Sequence, residues 1–355
     1  MFTIRRTLPI FSGVAILAVV FNHSNWHVLE NFVPGDPHGY GYIVTDQIGK
    51  FAIAAFMFIA GYFISYATSA GKYDLRWGIV RARLLGLFWP WLIWSVLMTI
   101  GHHFQGRALS PEELLKNLFI QYCFVPLLMF YYLLAPFILR WVRNHPRRVL
   151  IGAVIVQLLA IALFYMRVYV PSFSNLINLS LIDIGPMQYL RFAFFFPFGV
   201  IAGIAPQFFK DPIIRFKSLW PWLVLVFFIL AFGESALAYS LRTCRTWPIG
   251  GDQTRLTSSI LSISIIICFL TFEKIPIPFK NIVIKLGARS YGLYLSHYVI
   301  LGMVGKAIHC VAPWSDLQGW WLIPTLFLVT VFLSYSLMDI SSRMPTKQFY
   351  RLVFG

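Results

Sequence analysis

His23 stands where an apolar run ends. Leu8–Val20 leads into Phe21-Asn22-His23-Ser24-Asn25-Trp26, so an imidazole sits at the end of a stretch otherwise suited to lipid. An ionisable side chain at that depth costs a few kcal/mol and marks a functional candidate. An imidazole can take a proton from a hydroxyl near neutral pH, or attack a carbonyl itself. The plain alternative is a hydrogen bond to a neighbouring helix, or snorkelling to the interface beside Trp26.

A second constellation is Leu286-Gly287-Ala288-Arg289-Ser290-Tyr291-Gly292-Leu293-Tyr294-Leu295-Ser296-His297. On a helix Ser290, Tyr294 and His297 are spaced i, i+4, i+7 and form one polar face, with Tyr291 beside it. Lipid penalises such a face, so it points into a bundle, either as a site or as an interhelical hydrogen-bond seam at roughly 0.6 kcal/mol per contact. A third is Arg76-Trp77-Gly78-Ile79-Val80-Arg81-Ala82-Arg83. Arg76, Arg81 and Arg83 read either as a charge anchor at the membrane face or as a cradle for phosphate oxygens. In Phe51–Phe63, Ala54, Ala55, Ala60 and Gly61 allow close helix approach.

These residues need helices to hold them. The chain has 355 residues, 59% of them hydrophobic and 12% charged, which excludes an ordinary soluble domain. The expected fold is all-α, a polytopic bundle of ten transmembrane helices in one domain over residues 1–355. The candidate spans are 8–26, 48–68, 84–103, 118–139, 149–166, 189–207, 219–239, 255–272, 289–308 and 321–340. The run after Arg5-Arg6 is too long for a cleaved signal and reads as a retained first span. Net charge is +16. The basic residues cluster in alternate short loops, which points to positive-inside topology rather than to nucleic acid as a partner. The alternation places both termini in the cytoplasm and the 27–47 and 240–254 loops outside. Cys244 and Cys310 then fall on the oxidising side, where a bridge can form. No internal repeat is evident, which argues against a repeat-built transporter.

In this order the motifs resemble the membrane acyltransferase 3 family, the O-acyltransferases of cell-envelope modification. The resemblance rests on the span-one histidine, Phe56-Met57-Phe58-Ile59-Ala60-Gly61-Tyr62, and the basic entry to Pro90. Tyr122–Leu128, Tyr131–Pro136, Phe196-Pro197-Phe198-Gly199 and Ser290–His297 complete it. The family often has arginine eleven residues before the histidine and two arginines three apart before the proline. Here those places hold Ser12, Arg83 and Gly86. Ala60-Gly61 replaces the usual Ser-Gly.

The resemblance implies transfer of an acyl group, usually acetyl, from an acyl-coenzyme A co-substrate, with no permanently bound cofactor or metal. The acceptor it implies is a hydroxyl of an envelope glycan or lipid-linked sugar, at the plasma (inner) membrane and among membrane lipids. His23 takes the catalytic place. Asn22, Asn25, Tyr294 and His297 are candidates to orient its ring or bind an oxyanion. Arg191 and Glu234, with Asp46, Lys50 and Arg255, either line an acceptor groove or anchor the interface. Ten spans, a buried histidine and Glu234 also fit a transporter or flippase of a lipid-linked or acidic solute.

Overall fold

The computed structural model describes residues 4–29, 36–68, 72–104, 109–170, 186–240, 253–272, 277–311, 319–343 and 347–355. The described elements are helical. They are α1 (Ile4–Leu29), α2 (Gly39–Asp46), a 3-10 turn (Gln47–Gly49), α3 (Ala52–Tyr66), α4 (Trp77–His103) and α5 (Pro111–Lys116). A π-helical turn (Asn117–Gln121) leads to α6 (Phe124–Asn144), α7 (Pro146–Tyr169), α8 (Pro186–Leu190), α9 (Phe195–Ile204) and α10 (Gln207–Arg215). Then come α11 (Trp220–Ser240), α12 (Leu256–Thr271), α13 (Lys280–Ala288), α14 (Ser290–Val311), α15 (Leu322–Ser342) and α16 (Lys347–Phe354).

Among the described residues seven helices are long and apolar enough to cross a membrane, not ten. They are Thr7–Leu29, Gly39–Tyr66, Trp77–His103, Phe124–Asn144, Pro146–Arg167, Trp220–Ser240 and Leu322–Ser342. The expected spans at 189–207, 255–272 and 289–308 fall short for different reasons. The first is broken into α8 and α9, the latter only 10 residues long, and α12 has 16. A helix crossing about 30 Å of hydrocarbon needs about 20 residues. α14 has 22 residues, but its polar residues, Ser290, Ser296, His297, Lys306 and His309 among them, dilute its hydropathy. The expected bridge between Cys244 and Cys310 lies outside the described residues, because Cys244 does. The chain is an all-α polytopic membrane protein.

The centre and rim separate by burial. The apolar windows of Thr7–Leu29 and Gly39–Tyr66 are 67% and 78% buried, whereas those of α7 and α11 are each 22% buried. α1 therefore lies inside the bundle, while α7 and α11 present Leu, Ile and Val to lipid. Glycines let the central helices meet backbone to backbone. A Cβ on Gly61 would lie 2.1 Å from the Phe196 carbonyl oxygen, and one on Gly199 2.0 Å from that of Phe58, so α3 and α9 cross at their glycines. Gly13 of α1 packs likewise on the Val283 carbonyl of α13.

The turn of α1 that carries His23 is tied to the segment beside it. Asn22 Nδ2 donates to Asp46 Oδ1 at 2.5 Å, and Trp26 Nε1 donates to the same oxygen at 2.7 Å. Lys50 Nζ meets Asp46 Oδ2 at 2.5 Å, with both side chains essentially fully buried. Asn25 Nδ2 donates to the Tyr42 carbonyl at 2.8 Å, and Thr45 Oγ1 donates to Asn25 Oδ1 at 2.6 Å. Buried polar groups stay in place only when partnered, and here each partner set also fixes the angle of the His23 turn.

Candidate active site

Two cavities lined by described residues enter the bundle. The first, about 710 Å³, is lined by α1, α3, α4, α6, α13 and α14, with Ser12, Tyr66, Arg83, Tyr132, Ser290, Tyr291 and Tyr294 on its wall. Arg83 is the one charged side chain among its described lining residues, and the rest of the wall is apolar or small. The second, about 780 Å³, is lined by Asn22, His23, Trp26, His27, His102, Gln121, Gln253, Tyr298 and Lys306 on its polar side. Met98, Phe104, Leu301 and Met303 supply its apolar side.

The two meet at an aromatic layer. Tyr294 lines the first cavity, while His23 and Tyr298 line the second. His297 lies between them. Its ring centroid is 5.7 Å from that of Tyr294, 4.7 Å from Tyr298 and 5.1 Å from His23. Tyr122 closes the layer, 6.2 Å from Tyr294 and 5.9 Å from Tyr298. α1 runs from one cavity to the other: Ser12 faces the first and His23 the second. The eleven positions between them rise about 16 Å at roughly 1.5 Å per residue.

His23 Nδ1 and the Tyr298 hydroxyl lie 2.9 Å apart. That bond leaves Nε2 as the reactive nitrogen. Which of the two atoms donates sets whether Nε2 carries a proton or a lone pair. His297 Nδ1 lies 3.2 Å from the Leu293 carbonyl, which accepts from the helix's own turn. Its Nε2 is buried with no hydrogen-bond partner. A buried polar atom left unpaired is costly, so its persistence beside His23 belongs with the site rather than with packing.

The expected residues divide into groups. His23, Asn22, Ser290, Tyr291 and Tyr294 line one cavity or the other, and His297 joins them in the layer. Tyr291 is held by donating to the Leu87 carbonyl at 2.6 Å. Of the three arginines only Arg83 reaches a cavity wall. Arg76 and Arg81 are exposed at the start of α4 and line neither cavity. Ser12, at the family's arginine position, faces the same space as Arg83. A Cβ on Gly86 would touch nothing within 4 Å, so the second arginine place points to open space.

The remaining candidates lie elsewhere. Asn25 is fully buried and spends its amide on Tyr42 and Thr45. Asp46 and Lys50 form a closed ion pair behind His23 and line neither cavity. Glu234 accepts short hydrogen bonds from the Tyr165 and Thr257 hydroxyls. Arg191 is buried with its guanidinium 4.2 Å from the centroid of Phe164. Arg255, also buried, donates to Gln47 Oε1 and Ser258 Oγ, each at 3.2 Å. These three tie α7, α11 and α12 to the centre. Sequence reasoning did not single out Tyr298, His27 or His102, and Tyr122 entered only through the family resemblance. Tyr298 stands four residues after Tyr294, so helical spacing puts it beside the polar face, whereas His27 and His102 belong to segments with no periodic polar pattern.

Among the described residues no group of three His, Cys, Asp or Glu side chains is placed to hold a metal ion. Neither a search of curated proteins nor one of solved structures finds a match. A family profile described as an acyltransferase domain, of the acyltransferase 3 type, matches residues 12–339. That span begins at Ser12 in the first cavity, passes through the layer, and ends at Asp339 in α15. The chain belongs to the membrane acyltransferase 3 family.

Proposed function

We propose that this protein moves an acyl group, acetyl by preference, from a coenzyme A thioester in the Arg83 cavity to a hydroxyl in the His23 cavity. The acceptor is a cell-envelope glycan or lipid-linked sugar. The observation that carries this reading is that two cavities of different chemistry end on one layer containing His23. Arg83 suits a phosphate through its planar fork of donors, with Ser12, Ser290, Tyr291 and Tyr294 along the wall toward the layer. The apolar wall suits a pantetheine arm and its acyl end. Arg76 and Arg81 attract the anionic donor from a distance without touching it.

His23 is the proton-handling residue at the reacting carbonyl. The hydroxyl oxygen bonds to the thioester carbon, the carbon–sulfur bond breaks, and the hydroxyl proton ends on the thiol. Asn22, held by its bonds to Asp46, and His297, in the aromatic layer, fix the surroundings of the His23 ring. Asn25 fixes the α1 turn from behind. Arg191 and Glu234 hold the surrounding helices and act at a distance from the acceptor.

The basic loops put the Arg83 cavity on the cytoplasmic side, both termini inside and the protein in the plasma (inner) membrane. In this orientation the acyl group passes from one face of the membrane to the other. A carrier reading draws on the same two cavities with a closed layer between them. Labelled acetyl-CoA supplied to purified protein with an envelope glycolipid fraction separates the two. The enzyme releases free thiol and labels the acceptor, and His23→Ala does neither. Solute flux with intact thioester would favour the carrier.

A further inference from the structure

The His23 cavity has a second imidazole that the family pattern does not account for. His102, at the end of α4, lines the same wall as His23. Its Nδ1 lies 2.8 Å from Glu113 Oε1, and both side chains are largely shielded, at 13% and 15% exposure. Glu113 is well held. Ser110 is the N-cap of α5 and its hydroxyl accepts the Glu113 backbone N–H at 3.2 Å, with Pro111 in the first turn. The sequence Ser110-Pro111-Glu112-Glu113 has the form of a capping box, in which the carboxylate three residues after the cap reaches back to it. Here that carboxylate reaches across to α4. Asn117 adds a second tie between the same segments, donating to Thr99 Oγ1 at 2.9 Å. The α4–α5 junction is thus closed without His102.

A carboxylate on Nδ1 fixes an imidazole's tautomer. The Nδ1 proton faces the carboxylate, and Nε2 keeps its lone pair. His23 has the reverse setting when the Tyr298 hydroxyl donates to its Nδ1, for Nε2 then carries the proton. The two histidines also differ in depth. His23 touches the layer that borders the donor cavity, whereas His102 lines its cavity together with Phe104, which is 83% exposed.

We infer that His102, oriented by Glu113, is a second catalytic residue, the base for the acceptor hydroxyl, while His23 directs its Nε2 proton at the reacting carbonyl oxygen as a hydrogen-bond donor. This rests on the acyl-transfer reading above. In the step, His102 Nε2 takes the hydroxyl proton and the oxygen bonds to the thioester carbon. The carbon–sulfur bond breaks, and the sulfur takes that proton from His102, which returns to its starting state. His23 keeps its proton throughout. The products are an ester and a thiol, and no other reactant is needed.

The test is steady-state transfer by full-length protein in proteoliposomes, with acetyl-CoA as donor and paired hydroxyl and thiol acceptors of one scaffold. His102→Ala should lower kcat for the hydroxyl acceptor about 100-fold, the low end of a general-base contribution. The more acidic thiol acceptor should lose far less, acetyl-CoA binding should be unchanged, and added imidazole should restore part of the lost rate. Glu113→Gln should show the same pattern in weaker form. His102→Gln, which keeps a polar group against Glu113, guards against misfolding and should lose as much rate as His102→Ala. His103→Gln, whose side chain lines neither cavity, should behave as the wild type. Unchanged kcat in His102→Ala would overturn the inference. So would equal losses for both acceptors that imidazole does not restore, the behaviour of a mere tie between α4 and α5. A wild-type protein inactive with both acceptors would instead overturn the acyl-transfer reading itself.

Discussion

The two cavities are similar in size and opposite in chemistry. One has a single cation, several tyrosine hydroxyls and an otherwise apolar wall. The other has three histidines, a lysine and the amides of Asn22, Gln121 and Gln253. The first fits a long molecule with one anionic end and a slender apolar one. The second fits a polyhydroxylated ligand that needs many donors and acceptors at short range. In the proposed reaction each substrate reaches the layer without entering the other's space. The contrast also explains why α14 is poor in hydropathy. It supplies Ser290, Tyr291 and Tyr294 to one cavity and Tyr298 and Lys306 to the other, so the helix that joins them cannot be uniformly apolar.

The largest expected effect is at the boundary. His23→Ala should lower transfer on the order of 10²–10⁴-fold, the span of a general acid–base contribution, while protein yield and acetyl-CoA binding persist. Full activity of this variant in a glycan acylation assay would remove the boundary from the chemistry.

Next is the support behind the second cavity. Asp46 receives Asn22, Trp26 and Lys50 at once. Asp46→Leu removes the carboxylate that meets the buried Lys50 ammonium, and breaking a buried pair costs about 3–5 kcal/mol. Thermal unfolding in detergent should fall sharply, and Asp46→Leu with Lys50→Met should recover much of it. Equal melting of the single and double variants would show that the pair is not coupled.

A smaller effect separates the arginines. Arg83→Ala should raise the KM for acetyl-CoA about 10-fold or more, since a hydrogen bond to a charged group contributes about 1.5–3 kcal/mol. Arg76→Ala and Arg81→Ala should change it only at low salt, because they line neither cavity and act by screened attraction. Equal effects from all three would dissolve the distinction between contact and steering.

The smallest concerns Tyr298. Tyr298→Phe removes the hydrogen bond to His23 Nδ1 and should lower kcat a few-fold, on the scale of about 1 kcal/mol, with both KM values unchanged. A change in donor KM alone would place Tyr298 in the wrong cavity.

Much of this was legible in the sequence, for physical reasons. Composition and run length marked a polytopic helical protein, because lipid accepts only long apolar helices with satisfied backbones. The i, i+4, i+7 spacing put Ser290, Tyr294 and His297 on one face, and the structure places them along one path. The span count was less legible. Hydropathy counts residues, and α9 and α12 are apolar but short, while α14 is long but polar. The three arginines looked alike in sequence because reaching a cavity depends on helix rotation, which one turn of sequence does not fix. His102 and Glu113 lie eleven positions apart on two helices joined by a loop, so their pairing has no periodic signature. Glu234 and Arg191 read either as groove residues or as interface anchors, because ionisable groups in apolar helices allow both. Hydroxyls engage Glu234 and an aromatic ring engages Arg191.

The most direct test is sidedness. Protein reconstituted in one orientation should transfer label from acetyl-CoA supplied only at the Arg83 face to an acceptor supplied only at the His23 face, leaving thiol on the donor side. Transfer only when donor and acceptor share one face would contradict the account, because the two cavities would then not be the two substrate sites of one reaction.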